Sequence, residues 1–280
     1  MTAKKKILAV LCSFVAVVAI VVASVMGTVA YLTSSAAVSN VFTIGNVTMH
    51  MYETKVDNNG NPVEFGKKTA STNEYLLVNG NKYTKDPTIY IDKGSVASYL
   101  FIIARNDIAS IEDFDELTMK EQLLVKGWMK YGVAATGNIY VYTGIEAGES
   151  ADAWAAAVEA ITTADETNPL TKTSQGEKQI AAENRAAALE ELYTTFNGGV
   201  KAIGVGSATE NVEVDLFDHF TIRSYADLSI HASSKVTITA VAIQTSSSDF
   251  GSDIGSKTAL DAAWAAVIST YPTIHVPTAN

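Results

Sequence analysis

Ser95-Val-Ala-Ser-Tyr-Leu-Phe-Ile-Ile-Ala-Arg-Asn106 is the stretch whose reading decides the fold class. It has the length of one strand and a high density of β-branched and aromatic side chains. A run that is apolar at successive positions suits a strand buried on both faces, because neither side of the pleat then meets water. Near the far end of the chain, Ser234–Gln244 (SKVTITAVAIQ) has the same character. Its Val236, Ile238, Ala240 and Ala242 fall on one face of the pleat.

Just before the first of these, Thr88–Asp92 reads as a short strand and Lys93-Gly94 as the turn that follows it. Glu74–Tyr83 reads as a hairpin around Asn79-Gly80, a pair that suits a type I′ turn. Asp57-Asn-Asn-Gly-Asn-Pro62 is a dense turn signal. Asn40–Tyr52 reads as one strand in which Val47, Met49 and Met51 alternate with Thr48, His50 and Tyr52, the pattern of a half-buried sheet. Trp128–Tyr131 and Asn138–Thr143 form a second hairpin, and Val212–Phe217 and His219–Arg223 are further strands.

Helical signals lie between the strands. Ser110-Ile-Glu-Asp113 has the spacing of a capping box, and Phe114, Leu117 and Leu124 extend it to a helix ending at Gly127. Trp154, Ala157, Val158 and Ile161 share one helical face. Ser174-x-x-Glu177 opens another helix, with Leu189, Leu192, Tyr193 and Phe196 on one face and Gly198-Gly199 to stop it. Leu260, Trp264, Val267, Ile268 and Tyr271 line a last helix that Pro272 terminates. The pattern predicts a mainly β fold: a β-sandwich with inserted α-helices and a C-terminal helix. Residues 31–280 form a single domain, with a helical insertion at about 145–210.

The N-terminus has its own logic. Lys4-Lys5-Lys6 precede Ile7–Ala30, which contains no charge, and Thr28 and Ala30 are small residues three and one before a cut at Tyr31. Residues 1–30 are therefore expected to be a signal peptide. The same segment is long enough to span a bilayer, so an uncleaved anchor is the competing reading. Either way the remaining chain is expected outside the cytoplasmic membrane, touching it only through residues 1–30.

Of 280 residues, 48% are hydrophobic, enough for a sizeable core. The net charge of −10 excludes a basic footprint for nucleic acid. The single cysteine, Cys12, lies in the leader, so the mature domain relies on packing rather than disulfides. It also leaves no thiol for catalysis.

Other chemistry is sparse. His50, His219, His231 and His275 are not at metal-binding spacings, and neither a zinc-protease helix motif, a G-x-S-x-G nor a P-loop occurs. Asp57-x-Asn59-x-Asn61 lacks the spacing of a calcium loop. The many carboxylates select no glycosidase pair. Trp128, Trp154 and Trp264 fall on expected core faces. The residues thus nominate no catalytic group, no metal site and no cofactor.

One combination is more specific. The leader runs directly into Tyr31-Leu-Thr-Ser-Ser-Ala-Ala-Val-Ser-Asn-Val-Phe-Thr-Ile-Gly-Asn-Val-Thr-Met49, in which Asn40, Phe42, Gly45, Val47 and Met49 fill the pattern N-x-F-x-x-G-x-[VL]-x-[ILM]. This resembles the TasA/camelysin family of secreted Gram-positive proteins, whose leaders are cut by signal peptidases of the SipW type. Ile89–Asn106, Lys126–Trp128 with Ile139–Tyr142, and Lys235–Gln244 followed by the Trp264 helix are also similar to that family. The match is poor at about 145–210. The resemblance implies a jelly-roll-like β-sandwich that assembles into extracellular biofilm matrix fibres with copies of itself or related matrix subunits. It also implies that the segment freed by cleavage, about Tyr31–Asn40, pairs as a donor strand in a neighbour, with Tyr31, Leu32, Ala36 and Val38 its apolar residues. Two alternatives stand beside it: a camelysin-like secreted metallopeptidase, from which the lack of a usual zinc pattern departs, and a membrane-anchored surface binding module.

Overall fold

In the computed structural model, which describes residues 33–245 and 254–271, the 95–106 stretch becomes β7 (Ser98–Asn106), inside a six-stranded sheet. Antiparallel partners flank it: β12 (Val236–Gln244) on one side and β9 (Gly137–Tyr142) on the other, and β9 pairs in turn with β8 (Trp128–Ala134). Beyond β12 lie β1 (Thr33–Ile44), which runs parallel to it, and the edge strand β4 (Thr72–Leu76). A four-stranded sheet holds β2 (Met49–Thr54), β3 (Lys68–Ala70), β6 (Thr88–Ile91) and β10 (Val212–Asp215) in the order β10-β6-β2-β3. A two-stranded ribbon joins β5 (Lys82–Thr84) to β11 (His219–Thr221). The fold is sheet-rich, with four α-helices among the described residues.

Burial of β7 on both faces follows from what covers each one. Leu100 and Ile102 meet Ala240 and Ala242 of β12 and Met49, Met51, Ile89 and Ile91 of the four-stranded sheet in one apolar cluster. Tyr99, Phe101 and Ile103 point the other way. They join Val241 and Ile243 beneath the C-terminal helix, whose Leu260, Ala263, Trp264 and Val267 close a second cluster. Each Leu, Ile, Val, Met or Phe among them, fully buried, contributes on the order of 1.5–3 kcal/mol. All three tryptophans are core residues.

The alternation read in 40–52 holds for β2: Val47, Met49 and Met51 are buried while Thr48, His50 and Tyr52 are exposed. The single strand expected there is two. β1 ends at Ile44, and Gly45, at φ +100°, sends the chain into the other sheet. A left-handed backbone at this point suits glycine.

Two further expectations are corrected. The turn at Asn79-Gly80 forms, with Asn81 N–H donating to the Val78 carbonyl at 3.2 Å, but its flanks do not pair as a hairpin. β4 goes to β1 and β5 to β11. The Tyr83 hydroxyl accepts from Val78 N–H and donates to the Leu76 carbonyl, both at 2.7 Å, engaging groups that a ladder would need. Only Gly80 of the pair has positive φ, which fits a type II turn and not type I′.

The helix expected from Ser110 starts eight residues later. Ala109–Ile111 is a single 3-10 turn without a side-chain cap, and the first helix, α1 (Met119–Val125), opens at Thr118. There the true capping box pairs Thr118 with Glu121. Residues 112 and 113 have other partners. Glu112 is buried and accepts from the Asn106 amide and Met119 N–H, while Asp113 accepts from Asp115 N–H.

The 145–210 insertion supplies α2 (Ala151–Thr163) and α3 (Gln175–Thr195), and α3 starts at the Ser174/Glu177 box as the sequence indicates. Trp154 of α2 packs on Tyr193 of α3 with ring centres 4.9 Å apart. Both reach back to α1: the Trp154 indole donates to the Val125 carbonyl at 3.2 Å, and the Tyr193 hydroxyl to that of Leu124. The C-terminal helix is α4 (Lys257–Thr270). Its expected stop at Pro272 lies outside the described residues.

Candidate functional site

β1 occupies a slot between two strands that are far apart in sequence. Thr33–Ala37 pair antiparallel with Leu76–Thr72 of β4, in the register Ser34 to Tyr75, Ser35 to Glu74 and Ala36 to Asn73. From Val38 onward the strand passes to β12, pairing parallel from Val38–Ile238 to Ile44–Ile243. An irregularity between Val38 and Asn40 marks the handover. Among the described residues β4 has no other strand partner in that sheet, so β1 connects it to β12.

The expected donor segment is therefore split by the described boundary. Ala36 lies on the β4 half of β1 and Val38 at the start of the β12 half. Tyr31, Leu32 and the residues expected at the cleavage site, Thr28 and Ala30, lie outside the described residues. In this single chain the segment from Thr33 onward completes its own sheet.

The five motif residues converge on the passage between sheets. Asn40 and Phe42 lie on β1 opposite Thr239 and Val241, Gly45 makes the turn, and Val47 and Met49 are buried on the approach to and start of β2. A Cβ added at Gly45 would lie 2.5 Å from Gln244 Oε1 and 2.6 Å from Gln244 Cβ, so β12 closes over this turn. The motif thus has a local physical basis: a strand, a left-handed turn under the end of β12, then alternating core positions.

The histidines are dispersed. His219 Nε2 is 3.0 Å from Glu116 Oε2, which also receives Lys82 Nζ and Thr221 Oγ1 at 3.0 Å each. Burial holds the His219 pKa below its usual value, with Lys82 adding to the effect and Glu116 opposing it. Burial disfavours ionised Glu116, but the hydrogen bonds from Lys82 and Thr221 outweigh it and keep the carboxyl below its ordinary range. His50 lies 3.4 Å from Asp92. His231 Nδ1 is 2.9 Å from Ser234 Oγ within one turn, and its buried Nε2 has no hydrogen-bond partner. Among the described residues, no group of three or more His, Cys, Asp or Glu side chains is placed to hold a metal ion. His275 lies outside them.

Three buried charged groups were missed in the sequence reading. Glu53 and Lys85 form an ion pair without solvent exposure, Arg185 pairs with Glu121, and Glu112 is enclosed. The signals were present. Glu53 continues the buried alternation of Val47, Met49 and Met51, and Lys85 stands two residues after buried Tyr83. Arg185 falls midway between buried Ala181 and Leu189, four residues from each.

Comparison of the chain with protein-family models, curated proteins and solved structures finds no match.

Proposed function

We propose that this protein is a secreted structural subunit of an extracellular fibre, of the TasA/camelysin type, which polymerises by donating its N-terminal strand. In this reading the two larger sheets form a jelly-roll-like sandwich. A SipW-type peptidase removes residues 1–30, and Tyr31–Asn40 leaves its own subunit to fill the slot of the next.

The observation that carries this reading is the seat of β1 between β4 and β12, in which the donor residues up to Asn40 make five backbone pairs to β4 and two, at Val38 and Asn40, to β12. An identical strand from a neighbour can make the same pairs, so exchange conserves the enthalpy of the closed chain. That is the condition under which swapping is a low-cost route to association. Added strands gain affinity from main-chain hydrogen bonds and specificity from alternate side chains. A head-to-tail exchange whose rotation does not close grows as an open filament. Val41–Ile44 stay paired with β12, and the irregularity between Val38 and Asn40 marks where the donor would part from them.

Electron microscopy of purified residues 31–280, beside a version lacking 31–40, tests the proposal. Filaments are expected from the first and none from the second. Persistent monomers in the first, or equal fibres in both, would overturn it.

A further inference from the structure

The inner face of the six-stranded sheet does not pack solidly against the helices near the end of β7. Tyr140, Val236 and Ile238 on the sheet, with Met119, Leu123 and Ala186 on α1 and α3, bound a cavity of about 440 Å³. That is within the size range of small-molecule sites. Exposed Arg105, Gln179 and Glu183 line its mouth.

Glu112 stands in its wall with 1% of its surface exposed. One carboxylate oxygen accepts from Asn106 Nδ2 at 2.5 Å and the other from Met119 N–H at 2.7 Å. Neither donor is a cation. The charged groups on the surrounding elements have other partners: Arg105 pairs with Asp107 at 2.7 Å, Lys120 with Glu190 at 2.7 Å, and Glu121 with Arg185 at 2.7 Å. Glu183 accepts from the Gln179 amide at 2.9 Å. Tyr140, 2% exposed, stands in the same wall.

We propose that this cavity binds an organic cation, a primary ammonium on an apolar body, with Glu112 as its counter-ion. A buried carboxylate without a cation is costly in its ionised form. Burial, with the Glu121 charge adding to it, pushes the Glu112 acid up to about 7 even though its two hydrogen bonds pull the other way. An ammonium supplies the missing charge, while Val236, Ile238, Met119 and Leu123 take up the apolar body. A neutral ligand gains only the apolar contact, and an anion meets Glu112 as a like charge.

Calorimetric titration of the purified chain with 3-phenylpropylammonium and its neutral isostere 3-phenylpropanol tests the assignment. At pH 8 the cation is expected to bind at least about tenfold more tightly than the alcohol, the factor one close charge pair supplies. Its affinity should fall about tenfold from pH 8 to pH 6, as the ionised fraction of Glu112 falls. E112Q should abolish the preference for the cation, and A186F, which adds bulk to the α3 side of the cavity and keeps Glu112, should abolish binding of both probes. No binding to folded protein, equal affinities for the two probes, or a preference that survives in E112Q would overturn the proposal. Should E112Q fail to fold, A186F and the pH series decide: unchanged binding in A186F, or pH-independent affinity, is equally fatal.

Discussion

Lys85 Nζ donates to Glu53 Oε2 at 2.8 Å, and neither side chain reaches solvent. Asn73 completes the arrangement. Its amide donates to Glu53 Oε1 and to the Thr54 carbonyl, both at 2.8 Å, while its Oδ1 accepts from Val56 N–H. Asn73 lies on β4 directly opposite Ala36 of β1, so this polar cluster underpins the strand slot. Removing one partner strands a buried charge. K85M is therefore expected to cost about 3–5 kcal/mol, and the double variant E53L/K85M clearly less, because two apolar groups replace the pair together. Urea unfolding of wild type, both single variants and the double variant checks this. A double variant no more stable than K85M would contradict it.

The contrast between β7 and these polar residues explains what the sequence made legible. Strands whose apolar pattern is set by burial, such as 98–106, 236–244 and the alternation of 47–51, were readable because side-chain direction follows from local geometry alone. Pairing was not. The Asn79-Gly80 turn is present, yet the partners of β4 and β5 are chosen by residues 33–37 and 219–221, and two tyrosine hydroxyl contacts substitute for the ladder. The helix start was misplaced for a related reason. Asp113 fits a local box with Ser110 on paper, but its carboxylate accepts from Asp115 N–H instead, and its neighbour Glu112 is buried with Asn106 and Met119 as partners. Of the strand site, the motif from Asn40 to Met49 was visible, whereas the insertion of β1 between β4 and β12 needed the tertiary fold.

Glu112 also sets a pH dependence. Its acid is raised from 4.5 to about 7 by burial, so between those values the folded chain keeps a proton that the unfolded chain has released. Stability from this group is therefore present at low pH and lost as pH rises through 7. The loss amounts to roughly 3 kcal/mol at most. Glu53 and Glu146, whose acids burial also raises, act in the same direction and are common to both proteins compared. Unfolding free energies at pH 5 and pH 8 should differ less in E112Q than in wild type. Identical differences would exclude the assignment.

Arg185 ties α3 of the helical insertion to α1 and to the loop that precedes it. Its Nε and Nη2 meet the two Glu121 oxygens at 2.7 and 3.0 Å, and Nη2 also donates to the Glu116 carbonyl at 2.7 Å. A lysine keeps the charge but cannot span these acceptors. R185K is expected to cost about 2 kcal/mol, with amide exchange rising most along 175–195. Exchange that rises evenly through the sheet would show that the contact does not anchor α3.

Gly45 is the backbone pivot at which β1 leaves its sheet. Both its φ of +100° and the proximity of Gln244 oppose a side chain, so G45A should lose about 1–3 kcal/mol or more. G66A is the control. Gly66 is also left-handed, at φ +71°, but a Cβ there meets nothing within 4 Å, and its cost should stay near 1 kcal/mol. Thermal melts of the two variants compare them directly, and equal losses would remove the special role of the Gln244 contact.

Ser35 and Glu74 face each other across the β1–β4 pair, and Cα atoms in such antiparallel positions lie about 4.5–5.5 Å apart, within reach of a disulfide. The single cysteine of the sequence is Cys12, so within residues 31–280 the double variant S35C/E74C introduces one defined bond. Oxidised before assembly, it should hold the strand in its own slot, giving monomers that form filaments only after reduction. Oxidised after assembly, the same pair should join neighbouring subunits and give a ladder of covalent multimers on a non-reducing gel. Filaments that grow from the locked monomer, with every disulfide still within one chain, would rule out donation of this strand as the basis of polymerisation.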